Sequence, residues 1–207
     1  MPDLTGDEER SRAAKIALRS RLITARRALS PEDRLVAAAR LQDQILALVR
    51  REHPAVIAAY VPIGPEPGGS TLPSFLAAHA EVLLPVLLPS GDLDWAVYFP
   101  LTLAPGPRGL LEPGGPRLGV TAVTAASLVL VPALAVDRRG MRMGRGGGSY
   151  DRVLARLPFP EPPLTVALLH DGELIDAVPA EPHDRPVHGW ITPSGGLTLN
   201  RAAEWTK

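Results

Sequence analysis

The sequence predicts an α/β fold: a mostly parallel sheet flanked by helices, an N-terminal helical segment, and a single compact domain. Three observations predict it. Short apolar runs bounded by Pro, Gly or Asp recur through the chain and read as buried strands. Segments with helical 3–4 spacing separate several of them, and strands alternating with helices favour a parallel sheet. Residues 10 to about 50 carry helical spacing alone.

The helical segment falls in two pieces. Leu18, Leu22, Ala25 and Leu29 form the first stripe. The run Ser30-Pro31-Glu32-Asp33 then restarts the helix, with Ser30 as N-cap, Pro31 at the first helical position and acids in the first turn. Leu35, Leu41, Ile45, Leu46 and Val49 supply its apolar stripe, and His53-Pro54 ends it. Residues 1–9 are expected to be a disordered N-terminus, and 10–200 the domain.

Five runs then read as strands: 55–61, 81–88, 95–99, 127–131 (extending to Val136) and 164–169. Residues 70–80 read as a helix opened by Ser70 or Thr71. A further helix starts near Tyr150, with Val153, Leu154 and Leu157 in step and Pro158 closing it. The Pro- and Gly-rich stretch 100–126 is too long for a simple connection, which points to a functional loop.

Composition narrows the function classes. Lys and Arg together number 22, as do Asp and Glu, so no whole-protein field favours nucleic acid. With no cysteine, disulfides and thiolate metal sites are excluded. The apolar runs fall short of the roughly 18 residues of a membrane span. The acidic start "MPDLTGDEER" lacks the apolar stretch of a secretory signal. A cytoplasmic protein, a monomer or weak dimer, is expected.

The stretch "GMRMGRGGGSYDR", residues 140–152, carries the main functional signal. Gly144 and Gly146 to Gly148 lie between a strand and a helix N-terminus, where unpaired N–H groups and the helix dipole favour an anion. Arg145 adds a bidentate phosphate contact. Asp151 in the first turn can hold a Mg²⁺ brought by a polyphosphate. The composite reads as a nucleotide-phosphate site; the alternative is a flexible surface loop with a helix cap. A P-loop would need Lys and Ser/Thr after its last glycine, and the third glycine of the dinucleotide fingerprint would fall on Ser149, so neither motif matches. A carboxylate in a helix first turn contributes about 0.3–1 kcal/mol, so neutralising Asp151 is expected to cost little stability.

Seven basic residues and no acid lie between Arg10 and Ser30. Arg12, Lys15, Arg19 and Arg26 share one helix face, either a solvated charged face or a phosphate-neutralising stripe. Glu66 sits at a strand end before a glycine turn, where open α/β sheets bind ligands, and a carboxylate there can accept two hydrogen bonds from an amidine-like edge. His183, Asp184 and His188 are weak evidence for zinc; Asp184 beside a Mg-nucleotide fits better.

These pieces, in this order, resemble the 5-formyltetrahydrofolate cyclo-ligase family, also called methenyltetrahydrofolate synthetase. The resemblance runs from about Lys15 to about Thr192 through "KIALR", "YVPIGPE", "LLPV", "LLEP", "VPALAVDRRGMRMGRGGGSYDRVL" and "VPAEPHDRPVHGWIT". It implies ATP-dependent ring closure of 5-formyltetrahydrofolate to 5,10-methenyltetrahydrofolate, with ADP and phosphate released. It implies a nucleotide site at Lys15, Arg19 and Arg142 to Tyr150, with Arg145 and Asp151 catalytic. It places folate against Val61, Glu66 and Ser149, and Mg²⁺ on Asp151 and Asp184. Two residues depart from the family pattern: Ser149 replaces the first of two tyrosines, and Glu173 stands where glutamine is common. Two other readings stay open: a non-catalytic nucleotide- or folate-binding paralogue, which Ser149 favours, and a sugar-phosphate isomerase-like enzyme, which would need a base the sequence does not single out.

Overall fold

The computed structural model describes residues 4–158, 160–181 and 184–200. Two long helices open the chain, α1 (Leu4–Ala28) and α2 (Pro31–Glu52). Ser30 caps α2 by accepting the Asp33 N–H at 3.0 Å, and Pro31 occupies its first turn. The helix ends at His53, whose backbone is left-handed (φ 45°) and whose N–H reaches Val49 O at 2.9 Å. α1 starts six residues before the expected position 10, inside the stretch 1–9 left out of the domain; residues 1–3 lie outside the described residues.

Twelve strands and two further helices follow among the described residues: β1 (Val56–Ala58), α3 (Leu72–Ala77), β2 (Glu81–Leu87), β3 (Leu93–Val97), β4 (Leu103–Pro105), β5 (Leu111–Pro113), β6 (Leu128–Pro132), β7 (Ala135–Asp137), β8 (Arg142–Met143), α4 (Ser149–Arg156), β9 (Leu164–Leu168), β10 (Leu174–Ile175), β11 (Gly189–Thr192) and β12 (Gly196–Leu199). Seven form the main sheet in the order β12-β11-β9-β6-β1-β2-β3. Its five inner strands are parallel, and β12 and β3 pair antiparallel at the edges. The mostly parallel sheet expected from the apolar runs is therefore present. The chain leaves β1 towards β2 on one side and returns through β6 on the other, so β1 and β6 flank a topological switch point, where such sheets bind ligands.

Strand alternation divides the core. Ile57, Leu128, Leu130, Val166 and Leu168 pack with Leu41, Ile45 and Leu48 of α2 and Leu72 and Leu76 of α3. Their neighbours Ala58, Val129, Val131 and Ala167 face the opposite layer, with Trp95, Val153, Leu154 and Leu157. A third cluster joins Leu22 of α1 to Leu134, Ala135, Met143 and Val178. This last contact lays α1 against β7 and β8, beyond the carboxyl end of β6. Among the described residues no helix is long and apolar enough to cross a membrane.

Several sequence expectations need correction. Leu35 is 73% exposed rather than part of the α2 stripe, and Leu48 takes its place. The run 55–61 stays a strand only to Ala58, because the chain then turns over the cavity. The long stretch 100–126 holds the β4–β5 hairpin and two short 3-10 turns. The strands β8 and β10 to β12 are too short, or too mixed in polarity, to stand out in the sequence.

Candidate active site at the carboxyl ends of β1 and β6

A cavity of about 570 Å³ lies at the switch point, a size typical of small-molecule sites. The loop after β1 brings Tyr60, Val61, Ile63 and Glu66, and the end of β6 with the chain just after it brings Pro132, Ala133 and Leu134. α1 lays Arg12, Lys15, Arg19 and Arg26 along the cavity. The basic face therefore turns inward: Lys15 is 6% and Arg26 4% exposed.

Residues 142–151, from β8 through the glycine loop into α4, also line the cavity. Arginines of the chain itself approach the loop most closely. Arg19 Nε donates to Gly144 O at 3.1 Å, and Arg152 Nη2 donates to Gly147 O at 3.2 Å. At Gly148 the backbone is left-handed (φ 67°), so a side chain is disfavoured there. Arginines thus hold loop carbonyls. Among the described residues, none accepts the N–H groups of Gly146, Gly147, Gly148 or Ser149.

The acids are held by the cations. Arg142, buried by β8, donates through Nη2 to Asp151 Oδ1 at 2.7 Å. Burial pushes the Arg142 guanidinium below its ordinary value, opposed by Asp151, Tyr150 and Asp184; it remains charged. Its Cζ lies over the Tyr150 ring, 5.9 Å from the centroid. Burial, with Glu66 second, pushes the Tyr150 phenol upward, so it stays protonated. Lys15 Nζ pairs with Asp184 Oδ2 at 2.8 Å and Glu181 Oε1 at 3.0 Å. Arg145, 57% exposed, donates to Glu66 Oε1 at 3.1 Å, while Glu66 Oε2 accepts the Ile63 N–H at 2.9 Å. Two buried polar atoms of the lining, Arg142 Nε and the Tyr150 hydroxyl, have no partner among the described residues.

The residues expected for nucleotide, folate and Mg²⁺ therefore line one cavity: Lys15, Arg19, Val61, Glu66, Arg142, Gly144 to Gly148, Ser149, Tyr150, Asp151 and Asp184. His188 does not join them: its Nδ1 lies 2.9 Å from Thr165 N and 2.8 Å from Thr165 Oγ1. His183 lies outside the described residues, which hold no group of three or more His, Cys, Asp or Glu suited to a metal.

Sequence reasoning missed the apolar wall, where Pro85, Leu87 and Leu93 of the β2–β3 pair meet Leu110 and Leu111 of the hairpin. Only the unusual length of 100–126 signalled the hairpin. It also missed Arg26, placed on the basic face but not in the site. Arg26 binds Glu173 through two contacts of 2.6 and 2.7 Å and donates to Ala133 O. Glu173, the second departure from the family pattern, is thus the anion of a buried pair. Ser149 donates to Gly91 O at 2.5 Å, tying α4 to the β2–β3 turn.

Residues 11–193 match the model of the 5-formyltetrahydrofolate cyclo-ligase family. A 5-formyltetrahydrofolate cyclo-ligase of Mycolicibacterium smegmatis is 42% identical over 151 residues, covering 70% of this chain and 77% of that protein. The NMR structure of a 5,10-methenyltetrahydrofolate synthetase from Aquifex aeolicus superposes with a TM-score of 0.76 at 25% identity, over 93% of this chain and 96% of that one. A 5,10-methenyltetrahydrofolate synthetase from Mycoplasma pneumoniae shares the fold, with a TM-score of 0.62 at 19% identity over 84% and 94% of the two chains. The sequence match and the shared fold place this chain, as an enzyme of folate one-carbon chemistry, in the 5-formyltetrahydrofolate cyclo-ligase family of ligases.

Proposed function

We propose that the chain converts 5-formyltetrahydrofolate and ATP into 5,10-methenyltetrahydrofolate, ADP and phosphate in this cavity. One observation carries the reading: the glycine loop, the cationic side chains of Lys15, Arg19, Arg142 and Arg145 and an apolar wall line a single cavity, and among the described residues Arg142 Nε and the Tyr150 hydroxyl have no partner. A polyphosphate suits the first two features, and a pteridine ring suits the third.

The chemistry needs positioning and charge more than a protein nucleophile. The formyl oxygen attacks the γ-phosphorus and ADP leaves. N10 then attacks the formyl carbon and loses its proton, and phosphate departs carrying the former formyl oxygen. Lys15, Arg19, Arg142 and Arg145 bind phosphate oxygens, and the N–H groups of Gly146 to Ser149 bind those near the start of α4. Glu66 accepts hydrogen bonds from the pteridine edge beside Val61, and the leucine wall excludes water from the phosphorylated intermediate.

A Mg²⁺ ion accompanying a polyphosphate needs one or two carboxylates, with phosphate and water oxygens completing its shell. Asp151 and Asp184 line the same cavity and fit that donor set. When bound, the ion would neutralise charge on the transferring phosphoryl group. Arg142 and Lys15 orient the two carboxylates.

Isotope transfer tests the reading. Substrate labelled with ¹⁸O in the formyl group should yield ¹⁸O in the released phosphate, one atom per turnover. Label appearing in water instead would refute phosphorylation of the formyl oxygen.

A further inference from the structure

The turn between β7 and β8 holds a carboxylate that reaches neither solvent nor cavity. Asp137 is fully buried. Its Oδ1 accepts the N–H groups of Arg139 at 2.9 Å and Met141 at 3.1 Å. Its Oδ2 accepts the Val178 N–H at 3.0 Å and the Arg139 side chain through Nε at 3.1 Å and Nη2 at 2.8 Å. The first set closes the turn. The second crosses to another part of the chain, 41 residues away.

That other part is the segment carrying Glu181 and Asp184. The same turn grips its far end as well. Gly140 O accepts the Val187 N–H at 2.8 Å, and Met141 forms an antiparallel bridge with Pro186. The approach is close: a Cβ on Gly140 would lie 2.5 Å from Val187 O, and its φ is 81°. Both ends of 178–187 are thus fastened to one five-residue turn. The turn continues directly into Arg142, the partner of Asp151.

We infer that Asp137 is a positioning residue for the reaction: through Val178 it sets the Asp184 segment against the Arg142–Asp151 pair. This rests on the nucleotide and Mg²⁺ reading of the cavity. The turn itself closes through Oδ1, and the parallel β7–β10 pairing ends at Ile175 and Asp137, so the Oδ2 contact carries the link onward to Val178. A carboxylate is needed because N–H donors converge on both oxygens. An amide would keep one oxygen for Arg139 and Met141 and present NH₂ to Val178.

The test is Asp137→Asn, with Arg139→Ala as a milder variant that loses the side-chain contacts but keeps the carboxylate. Each variant is assayed on its folded fraction. The KM for Mg-ATP should rise about tenfold in Asp137→Asn, the loss expected for one hydrogen bond to a charged group at the low end of its range. The Mg²⁺ concentration for half-maximal rate should rise with it, and the KM for 5-formyltetrahydrofolate should stay within about twofold. Arg139→Ala should shift the Mg-ATP KM in the same direction by about two- to threefold, and it decides the question if Asp137→Asn does not fold. A lower melting temperature with both KM values unchanged would mean a structural role only and would overturn the inference. Wild-type protein without Mg-ATP-dependent turnover would overturn the functional reading on which it rests.

Discussion

Glu66 and Arg145 meet at the rim of the cavity, 79 residues apart in sequence and joined by a 3.1 Å hydrogen bond. Each is proposed to serve a different substrate, Glu66 the pteridine and Arg145 the phosphates. Arg145→Ala removes a charge-assisted phosphate contact worth about 1.5–3 kcal/mol, so the KM for Mg-ATP should rise about 10- to 150-fold. Glu66→Gln should raise the KM for 5-formyltetrahydrofolate instead. Steady-state kinetics with each substrate varied in turn checks the assignment, and the reverse pattern would exchange the two roles.

Asp151→Asn should abolish turnover. It should also cost about 1–3 kcal/mol of stability, more than a helix first turn alone suggests, because Asp151 is the counter-charge of the buried Arg142. Denaturant melts give the stability and single-turnover assays the rate. Full activity at limiting Mg²⁺ would remove Asp151 from the site.

Ser149 has a partner of its own. A gap left by a missing tyrosine could have been filled by Trp95, Tyr98 or Phe99, but Trp95 and Tyr98 are buried in the core and Phe99 does not line the cavity. Ser149 instead anchors α4 to Gly91, helped by Arg152 on the same carbonyl and by the Arg156–Asp92 pair. Ser149→Ala should cost about 0.5–1.5 kcal/mol of stability. Ser149→Tyr must break the anchor, so it should raise the folate KM. A lower KM would mean that the tyrosine supplies a contact worth more than the anchor.

His188 gives the stability a pH dependence. Burial lowers its pKa from 6.5. The Thr165 N–H points at Nδ1, which can accept only when unprotonated. The unfolded chain therefore binds the proton more readily, and stability rises with pH through this window. The contribution is present above about pH 6.5 and is lost as pH falls through the depressed folded pKa. Melting temperatures between about pH 7.5 and 5.5 should fall in the wild type and less in His188→Gln. Equal slopes would assign the loss to other groups.

Features governed by near neighbours in sequence were legible. The Ser30 cap, the α2 stripe from Leu41 to Val49 and the helix after Gly148 follow from local spacing and backbone preference. The glycine loop was legible for the same reason, since its oddity lies within ten residues. What the sequence hid depends on distant pairing. Lys15 meets Asp184 across 169 positions, and Arg26 meets Glu173 across 147. No local pattern tells that such a basic face turns inward. Leu35 follows the helical period yet faces solvent. The β4–β5 hairpin is made of Pro, Gly and scattered leucines, and it gains its meaning only where Leu110 and Leu111 close one wall of the cavity.

The absorbance of 5,10-methenyltetrahydrofolate formed from 5-formyltetrahydrofolate, followed with and without Mg-ATP, tests the central claim most directly. The account predicts product only with Mg-ATP, one phosphate released per methenyl group formed, and no turnover in Asp151→Asn. Nucleotide and folate binding without product would contradict it and leave a binding protein that retains the fold.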